Sequence, residues 1–183
     1  MAGVEELLRL GADGVKMLLI FGRESAAAHA DNIERVAAMA RACESWGVPL
    51  MVEPVLWGRT VPDAERAQPR RVQSIARIAI ELGADLLKVP YPGDPDSFRT
   101  LVEASPVPVL ILGGPRAETE REMLAGVAAA FEAGGRGVAF GRNVFQHRDP
   151  TGIVRALRAL AHDGADVEAA LILCSDRKIA NSG

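Results

Sequence analysis

The chain has 183 residues, with 21 basic and 24 acidic side chains and a formal net charge of -3. Hydrophobic residues make up 49%, charged residues 25% and aromatics only 4%, the proportions of a soluble globular domain with chain enough for one sizeable core. That balance offers no basic surface for nucleic acid, no apolar run reaches the roughly 18 residues of a membrane helix, and the start Met1-Ala2-Gly3-Val4-Glu5-Glu6 lacks the basic-then-apolar layout of a signal peptide.

Residues 3–10 predict a leading helix. Residues 14–21, after Gly11-Ala12-Asp13, form a short apolar run that predicts a buried strand. A helix follows over 26–46, with Ile33, Val36, Ala37, Ala40 and Cys43 on one face, and Gly47 ends it. Residues 48–53 predict the next strand. A polar loop, Trp57 to Pro69, leads into a helix carrying Val72, Ile75, Ala76, Ala79 and Leu82, closed by Gly83. The cycle repeats with a strand at 85–89, a short helix at 95–104, a strand at 107–112 stopped by Gly113-Gly114-Pro115, and a helix from about 117 to 133. The last strand is 137–141 and the last clear helix 151–162. Residues 165–173 predict one further helix, and 177–183 a frayed end.

Strands alternating with helices imply an α/β fold, with parallel strands joined by right-handed crossovers. The count is about five strand–helix units. A doubly wound open sheet can stop at five strands, whereas an eight-fold barrel usually needs about 250 residues. Only the residues at the strand ends separate the two.

In a parallel barrel, side chains alternate inward and outward along each strand, and function collects at the carboxyl ends. Lys16 and Lys88 stand in otherwise apolar strands, and Glu53 closes a third strand. Buried charges are costly unless paired, so ionisable groups on three consecutive strands are unusual. A lysine held in an apolar site becomes a usable amine nucleophile, a second lysine nearby favours the neutral amine, and a carboxylate beside them can move protons. This is the apparatus of Schiff-base chemistry on a carbonyl. The structural reading is that each lysine reaches the rim or pairs with an acid, but it accounts less well for all three groups together.

Gly113-Gly114-Pro115 and Gly141-Arg142-Asn143 end successive strands. Glycines let backbone amides approach an anion, an arginine adds a charged fork, and barrels often bind phosphate at the loops after the last two strands. A Gly-Gly pair alone commonly just makes a turn. His29 in a helix and His147 in a loop show no metal spacing, and His147 reads as a loop or interface residue. Trp57 lines a substrate or subunit contact, or else covers the rim. No Gly-rich nucleotide fingerprint occurs. Cys43 and Cys174, in unlike contexts, read as reduced thiols of a cytoplasmic protein.

Three motifs carry a resemblance: 83–94 (Gly-Ala-Asp-Leu-Leu-Lys-Val-Pro-Tyr-Pro-Gly-Asp), 106–115 (Pro-Val-Pro-Val-Leu-Ile-Leu-Gly-Gly-Pro) and 141–146 (Gly-Arg-Asn-Val-Phe-Gln). In this order they resemble the archaeal-type class I aldolase family, which includes fructose-bisphosphate aldolases, aminodideoxyheptulosonate synthase and an autoinducer-processing thiolase. The match runs from about residue 3 to about 162. It implies a TIM barrel whose Schiff-base lysine lies on the sixth strand, where Lys88 matches. It also implies phosphate binding by Gly113, Gly114, Gly141 and Arg142, with no metal and no cofactor. The fructose-bisphosphate enzymes carry a tyrosine acid/base on the fifth strand, where this chain has Val55. Residues 11–19 and 50–54 look instead like the tagatose-bisphosphate and sulfosugar-phosphate class I aldolases, in which a fourth-strand lysine and a fifth-strand glutamate accompany the Schiff-base lysine. Lys16 and Glu53 match those positions.

The resemblance further implies that the chain begins just before strand four, so that strands one to three and the family's first-strand aspartate are absent. Met1 then reads as a late start, from a truncated gene model or a fragment. Such a piece, a single partial barrel domain over 1–183 with 163–183 as C-terminal helix and tail, leaves open sheet edges and predicts poor solubility or rescue by homo-oligomerisation. The expected activity is reversible carbon–carbon cleavage of a phosphorylated ketose, with a sugar phosphate as partner. The alternatives are thiolase-like acyl transfer on a phosphorylated dicarbonyl and a non-catalytic sugar-phosphate-binding barrel fragment. An isomerase with only a phosphate site leaves the two strand lysines unexplained.

Overall fold

A computed structural model describes residues 3–113 and 119–175. Helix α1 (Val4–Arg9) precedes strand β1 (Val15–Ile20). Helix α2 (Ala26–Trp46) starts where the Ser25 hydroxyl accepts the Ala28 N–H, and it stops at Gly47, whose φ of 66° is the left-handed conformation that glycine enters without a Cβ penalty. Strand β2 (Leu50–Val55) is followed by a 3₁₀ turn at Asp63–Glu65 and by α3 (Pro69–Glu81), with proline in the first turn where no N–H partner is lost. Then come β3 (Leu86–Val89), α4 (Pro95–Glu103) and β4 (Val109–Leu112). The chain continues with α5 (Glu120–Glu132), β5 (Gly137–Ala139), a single helical turn α6 (Arg142–Phe145), α7 (Pro150–His162) and α8 (Val167–Ser175). The frayed end expected at 177–183 lies outside the described residues.

The five strands pair in the order β1-β2-β3-β4-β5, every pair parallel. A doubly wound sheet reverses its strand order at a switch point. An unreversed order with right-handed crossovers keeps the connecting helices on one side, and that is an arc of a β/α barrel wall. The arc does not close, and β1 and β5 are its edges.

Strand parity divides the sheet into two faces. Leu19, Leu50, Val52, Leu87, Val89, Val109 and Ile111 point toward the helices and join Val36, Val72, Phe98, Leu124 and Ile153 in one large core. Fully burying each such Leu, Ile or Phe side chain is worth roughly 1.5–3 kcal/mol. The alternate positions (Leu18, Ile20, Met51, Leu86, Leu110 and Leu112) lie on the concave face, stay partly exposed and belong to no core cluster. Lys16, Glu53 and Lys88 share that parity.

Two side chains set the strand ends. The Asp85 carboxylate accepts the Leu50 N–H at 2.8 Å, tying the start of β3 to that of β2. The Asn32 carboxamide accepts the Ile20 N–H and donates to the Leu18 carbonyl, both at 2.9 Å, on the side of β1 that faces away from β2. β2 begins two residues later than the apolar run predicts and continues through Pro54 to Val55. Leu50 directs its carbonyl to β3, so by alternation Pro54 also faces β3. Its missing N–H falls just beyond the last paired residues, Val52 and Leu87. No helix among the described residues is long and apolar enough to cross a membrane.

Candidate active site

Lys16 (β1), Glu53 (β2) and Lys88 (β3) occupy three adjacent strands of the concave face. The β1–β2 register sets Lys16 beside Met51 and Leu18 beside Glu53, while the β2–β3 register runs up to Val52 beside Leu87. Glu53 therefore stands between the two lysines at the carboxyl end of the sheet. It is 3% exposed and the one charged residue among the buried ones described. The Lys88 ammonium donates to Glu53 Oε2 at 3.1 Å, and the Lys16 ammonium pairs with the same oxygen. The Lys88 side chain is 17% exposed and that of Lys16 45%. Pairing with an acid holds for both lysines, and the acid is the same one. A buried carboxylate survives only when its charge is answered, and here two cations answer it from neighbouring strands.

A cavity of about 710 Å³ opens over Glu53 and Lys88 at the carboxyl ends of β2 to β5. Glu53 and Lys88 line its floor, and Gly113, Gly141, Arg142 and Asn143 line the β4–β5 side. The Asn143 amide donates to the Gly113 carbonyl at 2.6 Å, tying the two glycine-bearing loops together. Arg142 begins α6 and makes no ion pair among the described residues. Gly114 lies outside the described residues. Val55 lines the cavity as an aliphatic wall.

The β2 side is formed by Trp57, Asp63 and Arg66 from the loop after β2, and Phe145 of α6 stands near the mouth. Trp57 and Phe145 are exposed by 48% and 69%. Trp57 lines the cavity and is half-exposed at its rim, which fits both readings left by the sequence. In the sequence, Asn143 shows only as part of a strand-end motif. Arg66 carries no signal there beyond the i,i+3 spacing Asp63-Ala64-Glu65-Arg66 in a polar loop, which the structure shows as an ion pair at 2.8 Å.

The histidines stand apart from the cavity lining. His29 of α2 packs its ring edge-on to Phe21, with centroids 5.2 Å apart. His147 receives the Asp149 N–H on Nδ1 at 3.0 Å and meets Glu120 through Nε2 at 3.0 Å, which fixes it as a loop residue between α5 and α7. Among the described residues no three His, Cys, Asp or Glu side chains cluster as a metal site.

Residues 1–147 match the family model described as DeoC/LacD family aldolase. The chain is 40% identical, over 88% of its length and 57% of the relative's, to the 2-amino-4,5-dihydroxy-6-oxo-7-(phosphonooxy)heptanoate synthase of Streptomyces griseus. It is 39% identical, over 88% of its length and 60% of the relative's, to the class 1 fructose-bisphosphate aldolase of Thermoproteus tenax. Among solved structures it is similar to an archaeal fructose-1,6-bisphosphate aldolase with its catalytic Lys covalently bound to the carbinolamine intermediate of the substrate. The TM-score is 0.79 at 38% identity, covering 87% of this chain and 62% of that one. The chain thus spans less than two thirds of the length of each of these proteins.

Proposed function

The chain belongs to the DeoC/LacD family of aldolases, and from that premise we propose that it catalyses reversible carbon–carbon cleavage of a phosphorylated ketose, fructose- or tagatose-bisphosphate-like, through a Schiff base on Lys88. The observation that carries the reading is Lys88 Nζ, 3.1 Å from the buried Glu53 carboxylate and on the floor of a cavity. A cation held there with so little solvent has a chemical use as well as a partner. The lysine covalently bound to substrate in the similar archaeal enzyme, and the phosphorylated compounds for which the relatives are named, support the same chemistry.

In this mechanism Lys88 passes a proton to Glu53, and its free amine attacks the ketone carbon. The carbinolamine oxygen takes that proton from Glu53 and leaves as water, which gives the iminium and returns Glu53 to its carboxylate. The iminium draws the electron pair of the breaking carbon–carbon bond toward itself, while the hydroxyl proton of the departing half passes to Glu53. The aldehyde leaves, the enamine takes a proton back, and water hydrolyses the iminium to free Lys88. Lys16 orients Glu53 and supplies positive charge to a developing substrate oxyanion. Gly113, Gly114, Gly141 and Arg142 bind the phosphate and hold the carbonyl at Lys88.

Borohydride trapping with dihydroxyacetone phosphate, read by intact mass and peptide mapping, tests the reading. A reduced adduct on Lys88, absent from Lys88→Met, is the expected result. An adduct on Lys16 reverses the roles of the two lysines. Thermal stabilisation by phosphate with no adduct favours a sugar-phosphate-binding barrel without turnover, and coenzyme A dependence favours thiolase-like acyl transfer.

A further inference from the structure

We propose that His147 is a positioning residue for phosphate recognition, which holds the loops after β4 and β5 in one fixed arrangement through Glu120. The inference rests on the assignment of those loops to the substrate phosphate, and it adds a residue outside the cavity on which that grip depends.

The first argument is where the tethers fall. The loop after β4 starts at Gly113 and runs to Glu120, the first residue of α5. Residues 143–148, which follow β5, touch it at both ends. At its start, the Asn143 amide donates to the Gly113 carbonyl at 2.6 Å. At its far end, His147 Nε2 and Arg148 Nη2 meet Glu120 Oε1 at 3.0 and 2.9 Å. A glycine-rich loop has many conformations open to it, and a ligand that must freeze them loses affinity. A loop fastened at both ends has fewer left to lose.

The second argument is how the ring is held. The His147 side chain is 10% exposed and that of Glu120 24%, whereas Arg148 is 66% exposed. Water screens the Arg148 contact, so His147 makes the stronger tether. A carboxylate only accepts, so Nε2 carries the hydrogen between them. The Asp149 backbone meets Nδ1 with its N–H at 3.0 Å and its carbonyl at 2.8 Å, which seats the ring whichever of the two it bonds. Asp149 is itself fixed, because its carboxylate accepts the Gly152 N–H at the start of α7 at 3.1 Å.

The third argument is what the ring does not touch. His147 is outside the cavity lining, while Gly113, Arg142 and Asn143 are part of it. Its influence on a bound phosphate therefore runs through the two loops and not through contact with the ligand.

The test is borohydride trapping on Lys88, with dihydroxyacetone phosphate compared against neutral dihydroxyacetone. His147→Asn keeps an acceptor at the Nδ1 position and loses the reach to Glu120, whereas His147→Gln keeps the donor to Glu120. In His147→Asn the dihydroxyacetone phosphate concentration for half-maximal trapping is expected to rise about 10-fold, with that for dihydroxyacetone unchanged within about twofold. His147→Gln recovers most of the loss. Glu120→Ala removes both contacts at a partly exposed helix start. It is expected to fall at least as far, with the double variant no worse than Glu120→Ala alone, and it reads the tether even where His147→Asn does not fold. Equal changes for the two ketones, as a purely structural role gives, overturn the proposal. So does His147→Gln behaving like His147→Asn. Calorimetric titration with inorganic phosphate reads the same grip without turnover. A chain that traps dihydroxyacetone phosphate on Lys88 with one affinity in all variants overturns the proposal and leaves the aldolase reading standing. A chain that traps nothing, yet binds inorganic phosphate about 10-fold more weakly in His147→Asn and Glu120→Ala, supports the tether and sinks the aldolase chemistry. A chain that neither traps the ketone nor binds phosphate overturns both.

Discussion

Glu53 holds the site together because one carboxylate oxygen serves two ammonium groups. Glu53→Gln keeps the shape and removes the charge. Turnover is expected to fall by about 10²- to 10⁴-fold, the usual worth of a positioned proton carrier. Stability, read from urea denaturation, is expected to fall by about 1–3 kcal/mol. That is less than for a fully buried pair, because Lys16 keeps 45% of its side chain in solvent and relaxes there. The two thiols give a second prediction at this scale. Burial pushes Cys174 up from 9.0 to about 11, with Glu120 and Asp149 adding to the shift and Arg148 opposing it. Burial, then Asp85, raises Cys43 in the same direction. A thiol whose folded value is raised binds its proton more tightly when folded than when unfolded. Its stabilising contribution is therefore complete below pH 9 and is lost as pH rises from about 9 toward 11. Iodoacetamide at pH 8 is expected to leave both thiols unmodified in the native chain, and the urea midpoint to drop between pH 9 and pH 11.

Among the elements, the loop between β2 and α3 depends on one close backbone approach. Gly58 sits against Gly22, and a Cβ on Gly58 would lie 1.8 Å from the Gly22 carbonyl carbon and oxygen. Backbone cannot yield as a side-chain tip does, so Gly58→Ala must shift the loop that carries Trp57 and Arg66. A loss of about 1–3 kcal/mol or more is expected, together with a raised KM, read by thermal melting and by kinetics. That contact joins residues 36 positions apart in neighbouring β/α loops, and no local pattern announces it, so the polar stretch was legible only as a loop. Helix α2 was legible to the residue from its apolar face and from Gly47, which is left-handed in the structure, and the Ser25 cap at its start is a finding of the structure. The α6 turn was not, since four residues are too few to show a helical period, and Arg142 and Asn143 read as a strand end. The convergence of Lys16, Glu53 and Lys88 was legible in part, because strand parity is written in the chain, whereas the strand order that makes the three neighbours is read from the sheet. The Arg66–Asp63 wall opposite them was not, because spacing shows an ion pair without showing what the pair faces.

For the whole molecule, the number of β/α units left two architectures open, and the order of strands in the sheet decides between them. An unreversed order puts the helices on the convex side and gathers the carboxyl ends of the strands at one rim, where the glycine loops, Glu53, Lys88 and Arg66 line one cavity. The faces of the sheet are therefore unequal: the convex one is closed by α2 to α7, while the concave one keeps partly exposed leucines around three charged groups. The outer edge of β1 is unequal along its length as well. At Leu18 and Ile20 the Asn32 carboxamide supplies one carbonyl and one N–H, the pair that a residue of an adjoining strand would supply. An edge with all of its groups vacant is a template for another chain, and edge-to-edge growth of that kind leads to aggregates. Asn32 fills the template for the length of about one residue. A strand arriving at this edge must stop short of Leu18 or displace the carboxamide, so a residue of helix α2 sets how far a neighbour can zip along the sheet.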